Sequence, residues 1–164
     1  MPVRPFVRWP DKRLRTPADP VGEITDGVRA IWDDMIDTME AMPGLGLAAP
    51  QIGVMLRLAV VDCSAERGRA VCMADPEIVS LGGDTHAWEE GSPNLPGVSA
   101  QITRPSPVTV AFTDRHGIRV RQTFEALWAT SVQHQIDHLQ GRMYFHHLSR
   151  PKRDMLLRKA RRRG

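Results

Sequence analysis

A chain of 164 residues with ordinary apolar and charged fractions, 41% and 25%, has room for one domain with a sizeable core. No stretch approaches the ~20 consecutive apolar residues that cross a bilayer, so a membrane span is excluded as an expectation, and no apolar h-region marks a secretory signal. Net charge is +3, but residues 150–164 hold eight bases against one acid and carry +7, which leaves −4 for residues 1–149.

That asymmetry predicts a main domain over 1–149 and a basic C-terminal tail or helix over 150–164. Cys63 and Cys72 are too few for a disulfide framework and too far apart for a C-x-x-C site, which fits a reducing, cytoplasmic compartment. Residues 1–21 read as an irregular, proline-rich arm. Ile24 to Met42 reads as an amphipathic helix: Val28, Ile31, Trp32, Met35, Ile36 and Met39 recur at three- and four-residue steps, and Pro43-Gly44 stops it. Gly44 to Gly53 reads as a loop of small residues, with Gln51 as its hydrogen-bonding side chain and no phosphate-loop ending. Leu56–Val61 and Ala70–Met73 read as a hairpin turning at Ala65–Gly68. Glu77–Leu81, Val108–Thr113 and Ile118–Thr123 read as further strands, with Glu89 to Val98 as a glycine- and proline-dense loop between the first two.

Residues 125–140 read as a buried helix that carries His134 and His138. Four residues on a helix advance about 400° and rise about 6 Å, so the two imidazoles share one face. This is how one helix offers two ligands to a tetrahedral metal. In H-E-x-x-H enzymes a glutamate follows the first histidine as general base. Here Gln135 stands there, and an amide takes no proton from water at neutral pH. Two satisfied histidines on a half-buried helix are the bland alternative.

Three motifs in order resemble the peptide deformylase family: Gly44-Leu45-Gly46-Leu47-Ala48-Ala49-Pro50-Gln51-Ile52-Gly53, then Glu90-Gly91-Ser92-Pro93-Asn94-Leu95-Pro96-Gly97, then His134-Gln135-Ile136-Asp137-His138-Leu139-Gln140-Gly141. The arm from Pro10 to Val21 and the segment Leu148–Arg153 are similar too, so the resemblance covers nearly the whole chain. It implies an α+β fold in which antiparallel sheets surround a central helix bearing the histidines. It implies removal of formate from the N-terminal formyl-methionine of nascent chains. It also implies a divalent metal, iron or zinc, held by His134, His138 and a cysteine of an Glu-Gly-Cys-Leu-Ser motif.

The chain departs from that pattern where chemistry happens. Ser92 stands at the ligand cysteine, and a hydroxyl is neutral and hard where a thiolate is charged and soft. Pro93 stands at the leucine whose N–H meets the developing oxyanion, and proline has none. Gln135 stands at the general base. Gln51 remains as an oxyanion donor, and Gly46 remains to pair with an extended peptide. Asn94, His86 and Asp84 are side chains that could replace the missing ligand. Glu90 and Arg104 match a family pair that steadies the second motif; an exposed ion pair of little worth is the alternative. His146-His147 reads as an altered helix end. The expectation is therefore a deformylase-like protein with weak or no activity, retained for binding formyl-methionyl peptides. Residues 150–164 are expected to touch the ribosome or its RNA. The alternative is an active metal-dependent hydrolase with unusual ligands.

Overall fold

The computed structural model describes residues 3–163; Met1, Pro2 and Gly164, which belong to the expected arm and tail, lie outside the described residues. The first long element forms for the reasons its spacing gives. The Thr25 hydroxyl accepts from the Val28 N–H at 3.2 Å and caps α1, Asp26–Ala41. Val28, Trp32, Met35, Thr38 and Met39 form its buried face. Trp32 has no exposed surface, and its indole N–H donates to the Met73 carbonyl at 3.3 Å, which fixes α1 against the sheet.

The sheet has five antiparallel strands in the order β1-β2-β3-β4-β5. They are β1, Gly46–Ala48; β2, Leu58–Val61; β3, Val71–Ser92; β4, Leu95–Thr113; and β5, Arg119–Phe124. Two expectations need correction. The small-residue stretch is not all loop: Gly46, Leu47 and Ala48 pair with Val61, Val60 and Ala59, and a 3₁₀ turn follows at Ala49–Ile52. The Glu89–Val98 loop is the tip of a single long hairpin, in which β3 and β4 pair along most of their length and Pro93 and Asn94 make the turn. Register shifts at Ala74/Glu77, Ile78/Ser80 and Leu81/Asp84 break the two-residue alternation, so the sequence pattern shows only fragments of these strands.

The histidine helix, α2, runs Ala126–Leu139 and touches all five strands. From Ala129 to Leu139 only Asp137 is not buried. It stops in a Schellman turn: Gly141 N–H donates to the His138 carbonyl at 3.1 Å and Arg142 N–H to that of Asp137 at 2.9 Å. Gly141 has φ +78°, and a Cβ there would come within 2.8 Å of the Arg15 and Thr16 backbone. Only glycine ends the helix here, and the ending sets where His138 sits. The basic segment is a helix, α3, Arg150–Arg163. Leu156 and Ala160 bury beside Leu95, Ile102 and Phe145, while Lys152, Arg158, Lys159 and Arg162 face solvent. Among the described residues no helix is long and apolar enough to cross a membrane.

Candidate active site

α2 brings the His134 and His138 rings to 5.0 Å between centroids. The Nδ1–H of His134 donates to the Glu90 carboxylate at 2.8 Å, which fixes the orientation of the ring. Glu90 also accepts from Arg104 Nε at 2.7 Å and Nη2 at 2.9 Å. Arg104 reaches on to Asp137 at 2.9 Å, and Asp137 accepts from His147 Nε2 at 2.7 Å. The Glu90 and Arg104 side chains are 4% and 3% exposed, so this is a buried network and not a surface ion pair. Burial pushes the Glu90 carboxyl up, but hydrogen bonds from His134 and Arg104 outweigh it and hold the pKa below the ordinary value. Asp137 shows the same balance, with burial opposed by His147 and then Arg104. His147 is thus a network member at the end of a 3₁₀ turn, Tyr144–His147, and His146 caps that turn by accepting the Met143 N–H at 2.9 Å.

His138 is 1% exposed, and neither ring nitrogen has a protein partner. Burial, then repulsion from His134, lowers its pKa well below 6.5. Unfolded, the same ring protonates near 6.5, so the unfolded state binds the extra proton and stability declines as pH falls below that value. The urea midpoint of metal-free protein is expected to be lower at pH 5.5 than at pH 7.5. The gap should narrow in His138→Gln, and equal midpoints in the unsubstituted protein would contradict the assignment.

A second network joins the two loops. Gln51 Oε1 accepts from the Ala48 N–H at 2.9 Å, and its Nε2 donates to Asn94 Oδ1 at 2.7 Å. Asn94 Nδ2 donates to the carbonyls of Val7 and Gln51 at 2.6 and 3.0 Å. The Ser92 hydroxyl donates to Asn94 Oδ1 at 3.0 Å and accepts from the Asn94 N–H at 3.2 Å. Asn94 therefore spends its side chain within the protein and is not free to replace a ligand. Asp84 and His86 are exposed on β3, paired in register with Ser106 and Arg104, and do not line the cleft.

The cleft between α2, β1 and the β3–β4 tip has Gly46, Gln51, Glu90, Pro93, His134 and Gln135 in its wall. Ser92 and His138 are buried and outside its lining. Gln135 Oε1 is buried without a partner, and its Nε2 lies 2.6 Å from where a Cβ on Gly46 would sit. The structure thus assembles the residues of all three sequence motifs around one cleft.

The family model for polypeptide deformylase matches residues 3–154. The peptide deformylase of Xylella fastidiosa (strain M12) is 42% identical over 162 residues, 97% of this chain and 95% of its own. That of Methylocella silvestris is 41% identical, over 97% of this chain and 84% of its own. This chain belongs to the polypeptide deformylase family. Deformylase crystal structures superpose closely. That from Legionella pneumophila has a TM-score of 0.91 at 40% identity, covering 98% of this chain and 94% of its own. That from Ehrlichia chaffeensis in complex with actinonin has a TM-score of 0.92 at 33% identity, covering 100% and 99%.

The deformylase metal can be tested against the donors present. Two imidazoles are in place, and the unpartnered nitrogens of His138 are the kind of buried orphan that an ion or water satisfies. The third donor is a hydroxyl already hydrogen-bonded to Asn94, and no anion in the set balances a dication. Among the described residues no group of three or more His, Cys, Asp or Glu side chains is placed to hold a metal. The donor set does not fit the family's three-ligand metal. What these residues do without it is orient: Glu90 holds the His134 ring, Arg104 holds Glu90, and Gln51 presents an amide to the cleft.

Asn94, one of three side chains from which a replacement ligand could come, is committed instead to bonds within the protein. Tyr144 was missed: its ring stacks on His134 at 6.0 Å, and its hydroxyl is buried without a partner. No spacing rule marks either residue, because each acts across the fold and not along one element.

Proposed function

We propose that this chain binds the formylated N-terminal methionine of nascent peptides in the cleft, and that it hydrolyses the formyl group slowly or not at all. The observation that carries the binding is the free edge of β1: the strand pairs with β2 on one side only, and Gly46 on it lines the cleft. An extended peptide adds to such an edge as a further strand. The slow chemistry follows from three replacements. Ser92 supplies no anion, Pro93 no N–H and Gln135 no base. Titration calorimetry with formyl-Met-Ala-Ser should show binding, with formate release at background. Gly46→Ala should weaken binding, because its Cβ would come within 2.6 Å of Gln135 Nε2 and 2.7 Å of Ser131 Oγ and displace the strand or the Gln135 side chain in the cleft wall. Absence of binding by the unsubstituted protein would reject the proposal.

The comparisons lend more support to the other reading, an active metal-dependent deformylase with unusual ligands, and one specific feature of the site agrees with it. The feature is the pair of unpartnered, buried nitrogens on His138. The relatives at about 40% identity are named peptide deformylase. Elemental analysis of protein purified without chelator separates the readings: stoichiometric iron or zinc with formate release well above background supports the second.

α3 carries a separate role in this proposal, as an appendage to the domain over 1–149. Its exposed Lys152, Arg158, Lys159 and Arg162 suit RNA phosphates at the ribosome, with an affinity that falls with salt. Changing all four to Gln leaves Leu156 and Ala160 packed and should abolish co-sedimentation with ribosomes.

A further inference from the structure

We propose that Asn94 is a positioning residue that turns the Gln51 carboxamide so that an N–H, and not its oxygen, faces the cleft, which makes the cleft selective for a ligand carbonyl such as a formyl oxygen. The selectivity rests on the reading that the cleft takes formylated N-termini; the orientation does not.

The orientation is over-determined by hydrogen bonds. Gln51 is 1% exposed and lines the cleft. Its oxygen accepts the Ala48 N–H, and one of its two amide hydrogens goes to Asn94 Oδ1. Among the described residues no group takes the other hydrogen, which is available to a ligand. Reversing the amide would set two oxygens face to face at Asn94 and two N–H groups face to face at Ala48. Each would leave a buried polar group unpaired, which is costly.

Asn94 cannot turn to accommodate a reversed Gln51. Its Nδ2 donates to two backbone carbonyls, Val7 at 2.6 Å and Gln51 at 3.0 Å, and its Oδ1 also receives the Ser92 hydroxyl. A reversed Asn94 would press its oxygen on both carbonyls. The bonds in this chain use an acceptor and two donors on one flat group, where the family motif Glu-Gly-Cys-Leu-Ser has a serine. A carboxylate lacks the donors, and a serine hydroxyl is too short to reach both sides. Asn94 thus fixes which end of Gln51 the ligand meets. It also ties that choice to the N-terminal arm, because Val7 N–H donates back to the Gln51 carbonyl at 2.9 Å.

Two measurements on the full chain test this. The first is hydrogen exchange of the Gln51 side-chain amide by NMR, with the resonance assigned by its loss in Gln51→Glu. In the unsubstituted protein it should exchange slowly. In Asn94→Ala, or in Asn94→Ser if the alanine variant does not fold, it should exchange about tenfold faster or more, as expected when one buried hydrogen bond is removed. Backbone amides of β2 and β3 should keep their protection. Unchanged side-chain exchange would overturn the proposal. The second is the ratio of affinities for formyl-Met-Ala-Ser and Met-Ala-Ser. The Asn94 variants should lose about three- to tenfold of the formyl preference, with affinity for the free amine nearly unchanged. Equal weakening of both peptides marks a merely structural role and overturns the selectivity. If neither peptide binds the unsubstituted protein, the peptide reading fails, and the amide exchange alone decides the orientation.

Discussion

The triple variant Ser92→Cys, Pro93→Leu, Gln135→Glu is expected to bind one divalent cation per chain and to release formate from formyl-Met-Ala-Ser at least about a hundredfold faster than the unsubstituted protein. Each change supplies one missing element. A thiolate adds the soft anion that two imidazoles lack. Leucine restores a backbone N–H at the turn, where one oxyanion donor is commonly worth about 10²–10³ in rate. Glutamate restores a proton acceptor beside His134, worth about 10²–10⁴. These factors need not multiply, because groups that act together are not additive. That is why the lower bound is set by one of them.

The single variants separate the causes. Ser92→Cys alone should raise metal content with little gain in turnover, because neither base nor turn N–H is present. Gln135→Glu alone should do neither, and it adds a second carboxyl to the cleft that Glu90 also lines. The scaffold is ready to receive the changes. His134 is already oriented by Glu90, and the end of α2 that sets His138 is fixed at Gly141. A triple variant that folds, binds metal and still shows no formate release would mean that the cleft itself has diverged. Turnover by the unsubstituted protein comparable to the variant would move the assignment to the metal-dependent reading.

What could be read from the sequence divides by the range of the interactions. α1 and α2 were legible because their apolar residues repeat within one helix turn, and Thr25 and Gly141 mark their ends with local chemistry. The histidine pair was legible for the same reason. The long hairpin was not: its register shifts interrupt the alternation that reveals strands, and the stretch from Asp84 to Glu89 faces solvent throughout. The Asn94 network was not legible either, because its partners lie 43 and 87 residues away. The Glu90–Arg104 pair was visible through the family resemblance, but its burial was not. Burial decides whether such a pair matters.

Arg104→Met is expected to destabilise the protein by about 3–5 kcal/mol, the cost of removing one partner from a buried ion pair. Arg104 is the cation between two buried or half-buried carboxylates, Glu90 and Asp137. Without it, Glu90 keeps only His134 as partner, and burial, its largest influence, drives its pKa upward. Glu90 in folded Arg104→Met should then hold a proton more readily than in the unsubstituted protein. The size of the pH dependence changes with it. In the unsubstituted protein Glu90 is held below the 4.5 of a free side chain, so its stabilising contribution is complete above that value and is lost as pH falls through the lower folded pKa. In the variant the folded pKa moves back up toward the unfolded one, so that contribution should shrink and stability should depend less on this acid titration. Urea denaturation carried from neutral pH to well below 4.5 compares the two proteins. The double variant Arg104→Met, Glu90→Met should recover part of the loss, because a well-packed apolar pair can match a buried ion pair in stability. It should also release the His134 ring, so lower peptide affinity with restored stability would separate the orienting role of Glu90 from its share in the fold. A single variant within about 1 kcal/mol of the unsubstituted protein would show that water reaches the pair and that the network is not what holds α2 to the hairpin.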